Sequence, residues 1–292
     1  MRILFLGDVH VGSSRAVFPE YYRNPETGIE IEGNDVQKEL FRTWVEVAEK
    51  FAPRDSPPDV IILMGDLIDG PQRAENYHTL VLHNIDEQID LFLKLFLDYF
   101  HYNKIMVVRG TDYHAEVEGV HAEEWIARHL PNICYVSRYG SASQRDLRFD
   151  FRPEANVKLH AMHKVGVSSS PFYRATPLIR TSINQMIQDP FFREFIEDAQ
   201  NSFKNNYNLV ARAHRHIYAF YEESTIFSAF ITPCWQLPTE YAKDRDNFRS
   251  DIGVFEVEAE GDQIDFNKYL VTYKFLPHWV TWADVENNEV PG

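Results

Sequence analysis

Cysteine is nearly missing from this 292-residue chain: Cys134 and Cys234 stand far apart, and neither belongs to a Cys-x-x-Cys pair. That argues against a disulfide framework and a cysteine zinc site, and it suits reducing surroundings. Basic residues are also scarce, 29 Lys and Arg against 44 Asp and Glu, for a formal charge of -15. Such a field repels nucleic acid, and no run of five or more basic residues offsets it. No apolar run approaches the 18 or so residues that a membrane-spanning helix needs; stretches such as residues 60–64 have strand length. Internal repeats and low-complexity tracts are absent as well. At the start, residues 1–8 resemble the opening of a signal peptide, but their apolar part stops at an acid after four residues. The expectation is a first strand in a chain that begins at Met1 and stays in the cytoplasm.

What is present suffices for a folded core: 44% hydrophobic residues, with 14% aromatic, enough for one large domain or two small ones. Residues 2–6 read as a buried strand, 35–51 as an amphipathic helix, and 59–64 as a second buried strand. Residues 74–102 have helical composition and period, 104–108 form a third strand, and about 121–129 a short helix. Strands are expected at 147–151, 157–162, 208–213, 226–232, 252–258 and 264–275. Between them, residues 171–206 carry interrupted helical periodicity and read as a helical insertion over the site. Strands alternating with helices, then several strands, imply an α/β domain whose ligands sit beyond the carboxyl ends of strands.

Every cluster of metal-ligand chemistry lies at such an end. Asp8 and His10 are two residues apart, so on an extended strand end they point to one side, and His214 and His216 repeat that spacing. Asp66 follows a strand and a glycine, where a sharp turn can aim a carboxylate inward. A lone Asp in such a place is more often a turn or helix cap. The case rests on joint occurrence, because metal sites are recognised by clustered ligand types. Carboxylates and imidazoles together suit zinc, manganese, iron and related ions, and two neighbouring ions need a bridging carboxylate. His160 rivals His163; of the two, His163 at the strand's end is the better ligand. His78, His83, His101, His129 and His278 have no partner at useful spacing.

In order, Gly7-Asp8-Val9-His10, Gly65-Asp66-Leu67-Ile68-Asp69, Gly110-Thr111-Asp112-Tyr113-His114, His163 and Ala213-His214-Arg215-His216 resemble the calcineurin-like metallophosphoesterase superfamily, and the sequence style and compact architecture resemble its bacteriophage and prophage members. The family pattern runs DxH, GDxxD, GNH[DE], a later His and GHxH. The resemblance implies a two-sheet β-sandwich flanked by helices in αββα layers, as one domain over 1–292 with the insertion at about 171–206. It implies that Asp8, His10, Asp66 and His216 hold one metal, and that Asp66, His163 and His214 hold the second, with Asp66 as the bridge. Asp69 would support the site. The third motif departs from the family: Thr111 takes the asparagine position by count, whereas Asp112 is the better ligand chemically, and the choice stays open. His114, four residues after Gly110, matches the substrate-facing histidine, with His121 as the alternative. Ala213 replaces a glycine.

The expected function is hydrolysis of a nucleotide or other small phosphate ester, by a phosphodiesterase or phosphatase using two divalent ions, manganese first, with Fe, Zn, Ni or Co as alternatives. His114 and Asp112 are the catalytic candidates, and Arg109 and Arg215 the substrate-binding ones, with Tyr173 and Arg174 in the insertion. Trp235 offers either a wall near the site or core packing. One alternative is a DNA or RNA nuclease, drawing on Arg145, Arg148, Arg152 and Lys158. The other is a noncatalytic metal-binding scaffold, motivated by the altered third motif.

Overall fold

A computed structural model describes residues 1–25, 27–71, 79–117, 120–134, 141–152, 157–166, 175–188, 207–223, 227–239, 249–260 and 263–274. Two sheets dominate it. The first holds six strands in the order β15 (Gln263–Lys274), β14 (Arg249–Glu260), β1 (Arg2–Leu6), β4 (Val60–Leu63), β5 (Lys104–Val108) and β8 (Ser143–Gln144). From β1 to β8 the strands are parallel, and the β14–β15 hairpin adds antiparallel to β1. The second holds five, in the order β12 (Ala219–Glu223), β13 (Phe227–Ile231), β11 (Tyr207–Arg212), β10 (Val157–Ala161) and β9 (Leu147–Arg152), with β10, β11 and β13 parallel. Two small hairpins, β2 (Tyr21–Arg23) with β3 (Glu30–Glu32) and β6 (Glu116–Val117) with β7 (Val120–His121), lie outside both sheets.

Side-chain alternation along the strands builds the layers. On β1, Ile3 and Phe5 join Phe255, Leu159, Leu209 and Phe230 in a core between the sheets. Leu4 and Leu6 turn the other way, onto helices α1 (Asp35–Phe51), α2 (Ile85–Tyr99) and α4 (Ala122–His129), through residues such as Trp44, Phe92 and Ile126. On the far side of the second sheet, Leu178 of α5 (Thr176–Gln188) packs with Val210, Ala229 and Ile231. The result is the α/β arrangement of sheets flanked by helices that the sequence leads one to expect. A one-turn helix, α3 (Asp112–Ala115), follows β5.

The helix expected over 74–102 is shorter, because Asn84 caps α2 by accepting from the Asp86 amide at 2.8 Å. Thr79 and Val81 instead bond to the segment after β1, with the Ser14 amide donating to the Thr79 carbonyl and the Val81 amide to that of Gly12, both at 2.7 Å. Residues 72–78 lie outside the described part. Of the expected insertion at 171–206, α5 is described; residues 171–174, with Tyr173 and Arg174, and 189–206 lie outside it. Strand β12 and the two small hairpins were not anticipated.

Phe230 lies tilted against Phe255 at 4.2 Å and edge-on to Phe5 at 4.9 Å. Phe230→Ala is expected to cost about 3–5 kcal/mol. Asn34→Ala, which removes the capping box at the start of α1, should cost about 1 kcal/mol. Urea unfolding of the two variants checks the difference; equal losses would mean that the inter-sheet core is not the main stabilising layer.

Candidate metal centre

Strands β1, β4 and β5 of one sheet and β10 and β11 of the other deliver the five motifs from their carboxyl ends, and those ends meet. The Asp8 amide donates to the Gly65 carbonyl at 2.9 Å, the His10 amide to the Asp66 carbonyl at 3.0 Å, and the Ala213 amide to the His163 carbonyl at 2.9 Å. Between the sheets, the His214 amide donates to Asp8 Oδ2 at 2.9 Å.

The side chains converge by a route different from the expected one. Asp8, His10, Asp66, His214 and His216 have φ of 49°, 51°, 48°, 72° and 53°. They do not ride on extended strand ends. Left-handed backbone costs non-glycine residues on the order of 1–3 kcal/mol each and persists where surrounding structure over-determines it, commonly at functional sites. Gly110 completes the packing: a Cβ there would collide with the Asp66 carboxylate and backbone and with Glu123.

Among the described residues three donor groups result, Asp8 with His10 and His216, Asp66 with His163 and His214, and His10 again with Asp69 and His114, the ligand atoms within each group lying within 4.8 Å of one another. His10 Nδ1 donates to Asp69 Oδ1 at 3.0 Å, which leaves Nε2 facing His216 Nε2 at 3.1 Å. His163 Nδ1 donates to the Met64 carbonyl at 2.7 Å, so its Nε2 faces Asp66 Oδ2 at 2.9 Å and His214 Nδ1 at 3.3 Å. Asp8 Oδ1 is buried with no hydrogen-bond partner, 3.5 Å from His216, 3.8 Å from His163 and 3.9 Å from His10. A buried, unsatisfied carboxylate oxygen ringed by imidazole nitrogens fits divalent cations better than it fits a hydrogen-bonded core.

The electrostatics agree. Burial works against ionised Asp8 and Asp66, but the His163 ring beside both, with His10 and His216 at Asp8 and His214 at Asp66, holds them below the usual carboxylate range. Burial also disfavours protonated His10 and His163. The Asp69 and Asp8 carboxylates nevertheless push His10 up to about 10, and those of Asp66 and Asp8 push His163 up to about 9. Burial pulls His216 down.

The remaining candidates divide. His114 joins the cluster: its ring stands edge-on to His10 at 4.6 Å, and Nδ1 donates to the Asp69 carbonyl at 2.8 Å. At the open Thr111 or Asp112 position it is Thr111 that turns inward, its amide donating to Asp66 Oδ1 at 2.6 Å and its hydroxyl to the same oxygen at 3.0 Å. Asp112, placed in the catalytic set from sequence, is half exposed and pairs with Arg145 at 3.0 Å, because α3 carries it away from Asp66. Arg109, proposed for substrate, is instead held by Ser143 at 2.8 Å, Ser141 at 2.9 Å and Glu124 at 3.3 Å. Arg215 is partly exposed between the two loop histidines. His121 faces Glu123 at 2.6 Å. His160 bonds Asp146 at 2.7 Å and receives Arg212 at 3.0 Å, away from the donor groups. Trp235 is core, edge-on to Trp44 at 4.8 Å.

Sequence reasoning passed over three buried braces. Gln236 donates to Asp69 Oδ1 at 3.2 Å and Ser13 Oγ at 3.1 Å. Gln88 accepts from the Gly70 amide at 2.9 Å and donates to the Leu82 carbonyl at 2.8 Å. Glu123 accepts from the Leu67 amide at 3.4 Å. For Gln88 and Glu123 a signal existed: each is a polar residue on the buried face of its helix.

The family model of the calcineurin-like phosphoesterases matches residues 1–218. No curated protein matches the sequence. Among solved structures, a dimetal phosphatase from Danio rerio is 9% identical with a TM-score of 0.42, covering 94% of this chain and 99% of its own. A single mutant of Vps29 from Entamoeba histolytica is 12% identical with a TM-score of 0.41, covering 93% and 99%. A 5'-nucleotidase from Candida albicans is 10% identical with a TM-score of 0.39, covering 91% of this chain and 50% of its own. Among the described residues no helix is long and apolar enough to cross a membrane.

Metal ligation requires neutral imidazole, whereas His10 and His163 titrate at about 10 and about 9 in the metal-free chain. At pH 7.5 manganese binding should therefore release about two protons per chain, and affinity should fall as pH is lowered. Calorimetric titrations in buffers of different protonation enthalpy measure this; no proton release would mean that both histidines are already neutral in the metal-free chain.

Proposed function

The chain belongs to the calcineurin-like phosphoesterase family, and from that premise we propose that it hydrolyses a nucleotide or another small phosphate ester, as a phosphodiesterase or phosphatase, at a centre of two divalent ions. The observation that carries this is the pair of adjoining donor groups around the unpaired Asp8 Oδ1. Asp8, His10, Asp66 and His216 would hold one ion, and Asp66, His163 and His214 the other. Manganese is the first candidate for both. Asp66 would be the shared carboxylate, and Asp8, whose Oδ1 lies near histidines of both groups, would add negative charge beside it. When bound, the ions supply positive charge to an in-line transfer and make water a competent nucleophile near neutral pH.

The protein's own groups do the rest. His114 is anchored through Nδ1 to the Asp69 carbonyl and is 16% exposed. From that position it is proposed to meet the substrate and give a proton to the leaving oxygen. Asp69 and Gln236 fix the His10 tautomer, so that Nε2 presents its lone pair inward. A small ester is favoured over nucleic acid because the exposed arginines Arg145 and Arg148 are each paired with an aspartate, Asp112 and Asp146. That pairing leaves little positive charge at those positions to follow a phosphate backbone.

The test is hydrolysis of p-nitrophenyl phosphate and bis-p-nitrophenyl phosphate by chelator-stripped protein refilled with manganese. Turnover should require the metal, be lost in Asp66→Asn, which removes the shared ligand charge, and fall about 100–10,000-fold in kcat in His114→Ala with metal content unchanged. Two bound ions per chain with neither ester hydrolysed would favour a noncatalytic scaffold instead.

A further inference from the structure

The β14–β15 hairpin lies beyond residue 218, where the family match ends, yet it grips one of the proposed ligand loops. Asp251 is fully buried, and its carboxylate is saturated. Oδ1 accepts from Arg249 Nε at 2.7 Å and Thr272 Oγ1 at 2.8 Å, and Oδ2 accepts from Arg249 Nη2 at 2.6 Å and the Tyr218 amide at 2.8 Å. The Asp251 amide in turn donates to the His216 carbonyl at 2.8 Å. One residue therefore holds both sides of the 216–218 turn.

Strand geometry explains why these partners meet. Arg249 and Asp251 are two apart on β14, so they share a face, and Thr272 is the cross-strand partner of Asp251. The same face carries Phe255 and Val257 into the core between the sheets, which aims Asp251 at the second sheet's loops. The left-handed His216 needs such an external hold, because its own backbone preference opposes the conformation that presents its ring.

We propose that Asp251, held by Arg249 and Thr272, is a positioning residue for the ligand His216. It thereby sets the affinity of one ion of the pair, the one shared with Asp8 and His10, and leaves the other alone. This rests on the dinuclear reading above. A buried acid that served stability alone would show no such asymmetry between the two ions.

The experiment titrates the chelator-stripped full chain with manganese by calorimetry, alongside thermal melts, for the wild type, Asp251→Ala, Asp251→Asn and Arg249→Met. The wild type should take up two ions. In Asp251→Ala one ion should bind about 10–100-fold more weakly, the size typical when the support of a ligand is removed, while the other stays within about twofold and the melt remains cooperative. Asp251→Asn should recover most of the loss, since its amide oxygen still accepts from the Tyr218 amide. Wild-type affinity at both sites in a folded Asp251→Ala protein, or equal weakening at both, would overturn the proposal. If Asp251→Ala does not fold, Arg249→Met decides on the same criterion: loss at one ion supports the proposal and no loss refutes it. A wild type that takes up no manganese would instead sink the dinuclear reading itself, before any variant is compared.

Discussion

Concentrating carboxylates and imidazoles in a buried seam is the constraint around which this molecule is arranged. Asp8, His10, Asp66, Asp69 and His163 are all at most 2% exposed, where unpaired charge costs several kcal/mol per group. Each acid must therefore be matched by a histidine, an amide or a cation. The chain supplies the first two with economy: Asp8 Oδ2 takes the His214 amide, Asp66 takes the Thr111 amide and hydroxyl, and Asp69 takes His10 and Gln236. Asp8 Oδ1 is left over. The parallel strands serve this seam, because they bring five loops to one edge with their donors pointing inward.

Much of that was legible in the sequence, for reasons that are local. Helix α1 spans the residues its apolar periodicity marks, and the strands follow their apolar runs to within a residue or two at most ends. The ligand motifs were legible because residue type and chain order survive without knowing any contact. The geometry of Asp-x-His was not. Two residues on a strand end and two residues in alternating left-handed turns both bring side chains together, and spacing alone cannot tell them apart. Helix α2 was drawn too long because residues 79–84 are apolar enough to continue its pattern, while Asn84 and the long-range bonds of Thr79 and Val81 to the 12–14 segment decide otherwise. The surroundings of Arg109 and Asp112 were not legible for a related reason: Glu124 and Arg145, which engage them, come from other parts of the chain.

The third motif shows how far the count of residues can carry an argument. Thr111 stands where the family pattern has asparagine, and its contacts place it against Asp66 as well. A threonine hydroxyl that donates to Asp66 helps to hold the carboxylate in place. It is a poorer metal donor than an amide carbonyl or a carboxylate, because a hydroxyl oxygen carries less negative charge than either. The group formed by Asp66, His163 and His214 then depends on one carboxylate and two imidazoles, of which His214 is 36% exposed. The other group has Asp8 and His10 buried and His216 20% exposed, with backing from Asp69, Gln236 and Asp251. The two groups differ at one histidine each: His214 is the more exposed of the loop pair, and His216 has Asp251 behind it, while His10 and His163 are both buried. Solvent therefore reaches His214 more readily than His216, while His114, the proposed proton donor, stands beside His10 in the better-backed group.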